Sequence, residues 1–252
     1  MRLHRIFVDR SMIADGKAVI VGAESHHIRT VLRVKPGDRL VGTDGLGTDY
    51  LLQLKQSSPD ALVCEVLRTT QPQSPESRSK IVLIQCCLSS GKMEQVIDRA
   101  TQLGVWGIVP VVSEKSKFHG DESRFNKKVE RWRRIAKSSA LQCGRAHFPV
   151  IEPVLPLMQA IKTPTDNDIR LLFTADTKAK SARQVLPELL SCLSQSQAVY
   201  LLIGPGAGLA PVERRAAIEH GFAAVMVGSR ILRAETAPIV ALTLVLYHLG
   251  EL

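Results

Sequence analysis

Two apolar runs near the end of the chain place the tightest limits on its fold: Leu201-Leu-Ile-Gly-Pro-Gly-Ala-Gly-Leu209 and Val227-Gly-Ser-Arg-Ile-Leu-Arg-Ala-Glu-Thr-Ala237. Each begins as a buried strand, breaks at a glycine and leads into a helix, with Pro211 and Glu213 marking one helix start and Thr236 and Pro238 the other. Two such breaks at neighbouring strand ends line one crevice with bare backbone. That lining suits a flat, polar cofactor such as an adenine nucleoside. The second run also sets a cation, Arg233, and a carboxylate, Glu235, beside the crevice.

Residues 1 to about 70 read as short strands at Lys17–Val21, Arg39–Thr43, Tyr50–Lys55 and Ala61–Leu67, separated by Gly, Pro and Asp turns, with one helical stretch at Ser25–Leu32. This spacing predicts a small β-barrel. The polar stretch 71–79 is the expected linker. From Lys80 the pattern alternates strand and helix, with apolar strands near 80–88, 107–112, 169–174, 198–204 and 223–228. Repeated βα units imply an α/β domain over 80–252 whose mostly parallel sheet is covered on both faces. One helix after Ser90 aligns Met93, Val96, Ile97, Ala100 and Leu103 and stops at Gly104; another, about 122–141, aligns Phe125, Val129, Trp132 and Ile135. The final helix, Ala237 to Leu249, is apolar on almost every side. A second copy of the chain is one cover for it, and the core of a monomer is the other.

The glycine loop excludes two nucleotide motifs. In a dinucleotide fingerprint the third glycine would fall at position 209, which is leucine, and the acidic ribose ligand would fall near Gly228. No Walker sequence is present, so an NAD oxidoreductase and a P-loop enzyme both fit poorly. The five cysteines form no C-x-x-C pair, which argues against a zinc site or disulfide framework and for a reducing cytoplasm. No apolar run approaches the roughly 20 residues of a membrane span, and the first residues do not read as a signal sequence. Net charge is +9 and is concentrated: eight Lys or Arg lie between Arg124 and Arg145 against the single acid Glu130, and a second basic group runs from Arg2 to Arg39. Two basic surfaces suit a polyanion, although a merely solvated basic face has the same composition.

Taken together, these residues resemble the ribosomal RNA small-subunit methyltransferase E family of the SPOUT class. Val227–Ala237 matches the family's L-G-x-R-I-L-R-x-E-T-A nearly residue for residue. Gly91-Lys-Met-Glu94 with Gln102-Leu-Gly-Val105, Arg131-Trp132 with Gln142-Cys-Gly-Arg145, Arg5-Ile-Phe7 and His27-Ile-Arg-Thr-Val-Leu-Arg33 resemble further family segments in the same order. The likeness covers essentially the whole chain. It implies a PUA-like barrel, a trefoil knot in the α/β domain, a homodimer, and methylation of uridine N3 in 16S rRNA from S-adenosylmethionine. No metal and no membrane are implied.

Carried onto this sequence, the cofactor contacts are expected at Leu172, Phe173, Thr174, Ile203, Gly204, Pro205, Gly206, Gly208, Val227, Gly228, Ile231, Leu232, Ala234, Thr236 and Ala237. Arg233 is the expected catalytic cation, stabilising the charge that spreads onto the uracil oxygens as N3 loses its proton. Arg5, Arg29, Arg33 and Arg145 are the expected RNA contacts. One departure stands out: the family loop G-P-E-G-G is Gly204-Pro-Gly-Ala-Gly208 here, with a carboxylate lost at Gly206 and a Cβ added at Ala207. If position 207 needs φ > 0, the alanine is strained. A non-catalytic rRNA-binding protein that has lost its cofactor is the alternative this departure favours.

Overall fold

The computed structural model describes residues 3–70, 79–116, 120–191, 193–194 and 196–252. Most of the expected linker, 71–78, lies outside the described residues, as do Arg2 and Cys192. The chain divides into two units, one of residues 1–76 with 140–148 and one of residues 77–139 with 149–252. The division expected from sequence, at 71–79, misses the nine-residue segment Ala140–Phe148 that groups with the first unit.

The first unit carries β1 (His4–Phe7), β2 (Ile13–Ala14), β3 (Lys17–Val21), α1 (Gly22–Thr30), β4 (Arg39–Thr43), β5 (Asp49–Ser57) and β6 (Ala61–Thr70). Its sheet runs β1-β4-β5-β6-β3-β2, antiparallel except for β1 beside β4, and among the described residues no pairing joins β1 to β2. Alternation builds the core: in β3, Ala18 and Ile20 point inward while Lys17, Val19 and Val21 face out. They meet Ile6, Leu40, Leu52, Leu54, Leu62 and Ile28 of α1.

Residues 43–48 close onto the inserted segment. Thr43 Oγ1 and Gly47 N donate to the Ala146 carbonyl, and Phe148 N donates to the Gly45 carbonyl. A Cβ built on Gly45, whose φ is +73°, would lie 2.6 Å from the Phe148 ring. Asp44 anchors the same turn, accepting from Leu46 N, Thr48 N and Arg10 Nε. Burial opposes its charge, but those donors outweigh the burial and hold its carboxyl below the ordinary carboxylate range.

The second unit contains β7 (Lys80–Cys86), α2 (Ser90–Gln102), β8 (Gly107–Val112), α3 (Glu122–Cys143, whose last four residues count with the first unit), β9 (Val150–Ile151), β10 (Leu155–Pro156), α4 (Leu157–Ala160), β11 (Ile169–Thr174), β12 (Lys180–Ser181), α5 (Ala182–Leu190), β13 (Ala198–Ile203), α6 (Pro211–Glu219), β14 (Ala223–Met226) and α7 (Ala237–His248). All pairings in its sheet are parallel, in the order β10-β8-β7-β13-β11-β14-β12, with β9 also on β8. Side chains from one face (Leu83, Leu171, Leu201, Val225) pack with α2, α3, α5 and α7; those from the other (Ile84, Val109, Leu172, Leu202) pack with α4 and α6. The near-continuous apolar strands follow from this double cover.

Helix α2 buries Met93, Val96, Ile97 and Ala100 and is followed by Gly104 at φ +95°, as its sequence predicts. In α7 the buried residues Pro238, Ala241, Leu242, Val245 and Leu246 form the inner face. Ile239, Val240 and Leu244 are only half-buried, and Tyr247 is 68% exposed. The helix is therefore not fully enclosed by its own chain.

Candidate active site

The strand order places the two glycine-broken runs side by side. β11 sits between β13 and β14, with Phe173 in register with Ile203 and with Val225. The chain thus changes direction across β11, and the carboxyl ends of three adjacent parallel strands open into one crevice, where ligands of open α/β sheets bind. A cavity of about 270 Å³ fills it. Its walls are the ends of β11 (Leu172, Phe173, Thr174), the loop after β13 (Ile203 to Gly206, and Gly208), and the run after β14 (Val227, Gly228, Ile231, Leu232, Ala234) with Ala237. Of the residues expected at a cofactor, only Thr236 lies outside this lining.

Neither Gly206 nor Ala207 has positive φ; in the loop after β13 only Gly208 does, at +71°. The alanine is therefore unstrained, and the glycine that the backbone requires is present. A Cβ on Gly206 would meet only Ala234, at 3.9 Å, and one on Gly228 would meet nothing within 4 Å. The space beside these glycines belongs to the cavity. Ile231, 85% exposed, presents an apolar side chain to the same space.

Sequence reasoning missed four lining residues: Ala175, Leu209, Arg214 and Arg230. Arg214 lies in the first turns of α6 and pairs with Asp176 at 2.5 Å, yet its Nε is buried without a partner. A buried N–H of this kind calls for an acceptor that the protein itself does not provide. The Lys178 backbone N–H and Arg214 hold the Asp176 carboxyl below its ordinary range. Glu213, buried in the same helix, accepts from Ala210 N and Glu114 N, tying the loop after β13 to the loop after β8. The Pro211–Glu213 signal pointed to this helix start, though not to its cation.

A second cavity, of about 510 Å³, opens at the ends of β7 and β8. It is lined by Cys87, Leu88, Ser89, Lys92 and Lys115, and it shares Pro205, Gly206 and Ala234 with the first. Lys92 Nζ lies 3.0 Å from Glu235 Oε2. Glu235 is 9% exposed, and its own backbone N–H together with Lys92 keeps its carboxyl below the ordinary range. Burial pushes the Cys86 thiol up to about 12 and the Cys87 thiol higher still, so neither supplies a thiolate.

Arg233 lines neither cavity; it is exposed, adjacent to Ala234, and forms no ion pair among the described residues. The four arginines expected at RNA separate into two kinds. Arg33 is exposed and Arg29 is half-buried, its guanidinium donating to the Ser58 carbonyl. Arg5 instead binds Asp49 at 2.5 Å, and Arg145 is only 7% exposed. On helix α3, Arg124, Lys127, Arg131, Arg133 and Arg134 are exposed, with Arg131 paired to Glu94 and Arg133 to Glu130. Among the described residues no group of His, Cys, Asp and Glu has metal-site geometry, and no helix is long and apolar enough to cross a membrane.

Comparison with known proteins accords with this geometry. The model of the RNA methyltransferase domain matches residues 75–246, and that of the RNA methyltransferase PUA domain matches residues 20–67. The chain is 28% identical to the ribosomal RNA small subunit methyltransferase E of Bacillus subtilis over 91% of its own length and 89% of the relative's. It is 29% identical to the protein of the same name from Buchnera aphidicola subsp. Schizaphis graminum over 100% and 98%. Among solved structures, the Neisseria gonorrhoeae ribosomal RNA small subunit methyltransferase E bound to S-adenosylmethionine superposes with a TM-score of 0.85 at 27% identity, covering 98% of each chain. A Legionella pneumophila methyltransferase in complex with the same cofactor gives 0.87 at 25% identity and 98% of each. With strand order, crevice and family model in agreement over most of its length, the chain belongs to the RNA methyltransferase family.

Proposed function

We propose that the protein transfers a methyl group from S-adenosylmethionine to N3 of a uridine in the RNA of the small ribosomal subunit. The observation that carries this reading is the first cavity: backbone and apolar side chains from three adjacent strand ends, with one buried, unpartnered N–H at its edge. These residues fit the cofactor. The bare backbone of Gly206 and Gly228 admits a flat ring, Leu172, Phe173 and Ile231 supply apolar contact, and Arg214 Nε supplies a donor. When bound, the cofactor would supply an electrophilic methyl group on a positively charged sulfur that leaves with the bonding electron pair; the N3 proton would go to solvent or to the RNA.

The chain's own part is placement and charge. An in-line displacement needs the nucleophile held on the methyl axis, which the rigid strand ends favour. Arg233, exposed beside Ala234, is the cation we assign to the uracil oxygens as negative charge develops. Arg29 and Arg33 are the assigned phosphate contacts, and removing them flattens the salt dependence of RNA binding; Arg5 and Arg145 are better read as structural in view of their burial. The half-exposed apolar side of α7 supports a homodimer. The return of α7 onto β13, α2 and α5 after β14 supports the trefoil knot that the family resemblance implies. Free Cys64, Cys86, Cys87 and Cys143 support a reducing, cytoplasmic setting. The non-catalytic alternative loses the support it drew from Ala207, which is unstrained, and keeps only the carboxylate absent at Gly206.

The deciding experiment is calorimetric titration of the full chain with S-adenosylmethionine, followed by assay of methyl incorporation into small-subunit RNA. Micromolar binding near one site per chain is expected. Absence of binding both with and without RNA overturns the reading.

A further inference from the structure

The second cavity is not explained by cofactor binding. It lies on the same carboxyl edge of the parallel sheet as the first, one step along: the first opens at β13, β11 and β14, the second at β8, β7 and β13. The loop after β13 is the partition, and Pro205, Gly206 and Ala234 face both sides of it. A molecule in the second cavity is therefore separated from one in the first by a thin wall with no side chain at Gly206. A Cβ there would meet only Ala234, at 3.9 Å, so the opening is not plugged from within.

The chemistry of the lining is specific. Leu88 and Ala234 offer apolar surface, Ser89 a hydroxyl that makes no side-chain cap bond, and Lys92 and Lys115 two ammonium groups. No carboxylate lines the cavity. Glu235 lies behind Lys92, 3.0 Å from its Nζ, almost buried and outside the lining, and so holds the ammonium in place. Lys115 follows Glu114, whose backbone N–H is fixed by buried Glu213, and Lys115 has no ion pair among the described residues. Two cations at a partly apolar cavity match a planar group that is neutral when it enters and anionic when it reacts.

We propose that this second cavity receives the uracil ring to be methylated, that Lys92 and Lys115 stabilise the negative charge on its oxygens as N3 loses its proton, and that Glu235 is a positioning residue for Lys92. The proposal rests on the methyl-transfer reading and adds the seat of the substrate base to it. Lys92 lines this cavity, whereas Arg233 lies outside its lining, next to Ala234. A cation held beside the ring favours its anionic form and lowers the pH at which N3 ionises.

The test uses the full chain and uridine 5′-monophosphate, titrated with and without S-adenosylhomocysteine, with N3 ionisation followed by ultraviolet absorbance. In the wild type, binding moves N3 ionisation to lower pH by about one unit, a tenfold change in the ionisation constant. Lys92→Met abolishes that shift and weakens the nucleotide at least about tenfold, while S-adenosylmethionine affinity stays within about twofold. Lys92→Arg restores most of the shift, because charge is kept. Glu235→Gln gives an intermediate shift and lowers kcat more than it raises KM; Lys115→Met acts in the same direction.

Uridine monophosphate bound with an unshifted N3, or a Lys92→Met protein identical to wild type, overturns the assignment. So does adenosine monophosphate bound as tightly as the uridine nucleotide and weakened equally by Lys92→Met, since the cavity then takes phosphate. The cofactor-free titration keeps the two readings apart: failure to bind S-adenosylmethionine overturns methyl transfer, whereas failure of the uridine nucleotide to bind in either titration overturns this cavity assignment.

Discussion

The protein contains two glycine-rich turns that look alike in sequence and differ in what fills the space beside them. In the turn at Gly45 and Gly47, side chains of the chain itself occupy the position of the missing Cβ: the Phe148 ring at Gly45 and the His147 ring at Gly47. At Gly206, Gly208 and Gly228, which line the first cavity, the same position is open or meets only Ala234 at 3.9 Å. The first pair of glycines serves packing, and the second group keeps room for something that is not protein. A glycine is thus informative about ligands only once its neighbours are known.

Substitutions at the two loops separate these roles. The largest expected effect on stability is from Gly45→Ala, which combines a positive φ with ring overlap and should cost about 2–4 kcal/mol in the unfolding transition of the first unit. Its S-adenosylmethionine affinity should stay near wild type, as calorimetry would show. Gly228→Leu should do the reverse, leaving the denaturant midpoint nearly unchanged while a side chain in the cavity lowers cofactor affinity about 100-fold, or about 2.7 kcal/mol. If Gly228→Leu unfolds the protein instead, the contrast between the loops fails.

Arg233→Ala should lower kcat about tenfold or more with cofactor affinity within about twofold, because its exposed guanidinium lies outside the first cavity. Equal losses in both would remove it from the reaction. A smaller effect tests the Asp44 turn through pH. A carboxyl whose folded pKa is depressed contributes stability that is present above its unfolded value, about 3.9, and is lost as pH falls through the folded value. The denaturant midpoint of the first unit should therefore fall on acidification below about pH 4, and Asp44→Asn should flatten that fall. The smallest effect is expected from Ala207→Gly, within about 0.5 kcal/mol of wild-type stability, since no positive φ is relieved.

Much of this was legible from residues alone, for identifiable reasons. Strands Arg39–Thr43, Gly107–Val112 and Ile169–Thr174 fall at their expected positions because apolar runs ended by turn residues leave little choice. The two-residue strands Val150–Ile151, Leu155–Pro156 and Lys180–Ser181 carry no periodicity and exist only through their neighbours. At the site, the glycine runs marked the first cavity. Arg214 escaped because the partner and the unpartnered N–H that single it out appear only after folding. The second cavity was not legible either: it needs β7, β8 and β13 side by side, and Lys92, Lys115 and Glu235 are far apart along the chain. Conversely, Arg5 and Arg145 read as surface cations because a sequence does not reveal burial.

The segment Ala140–Phe148 has a consequence for the order in which the protein is made. A ribosome that has released only the first 76 residues has not yet delivered the ring that settles against Gly45 or the carbonyl that accepts from Gly47. Synthesis proceeds from the N-terminus, and a domain ordinarily folds once its own residues have emerged. Here the first unit must wait, unfinished, while β7, α2, β8 and most of α3 are translated. Its maturation is timed by a stretch of chain that lies within the other unit's sequence.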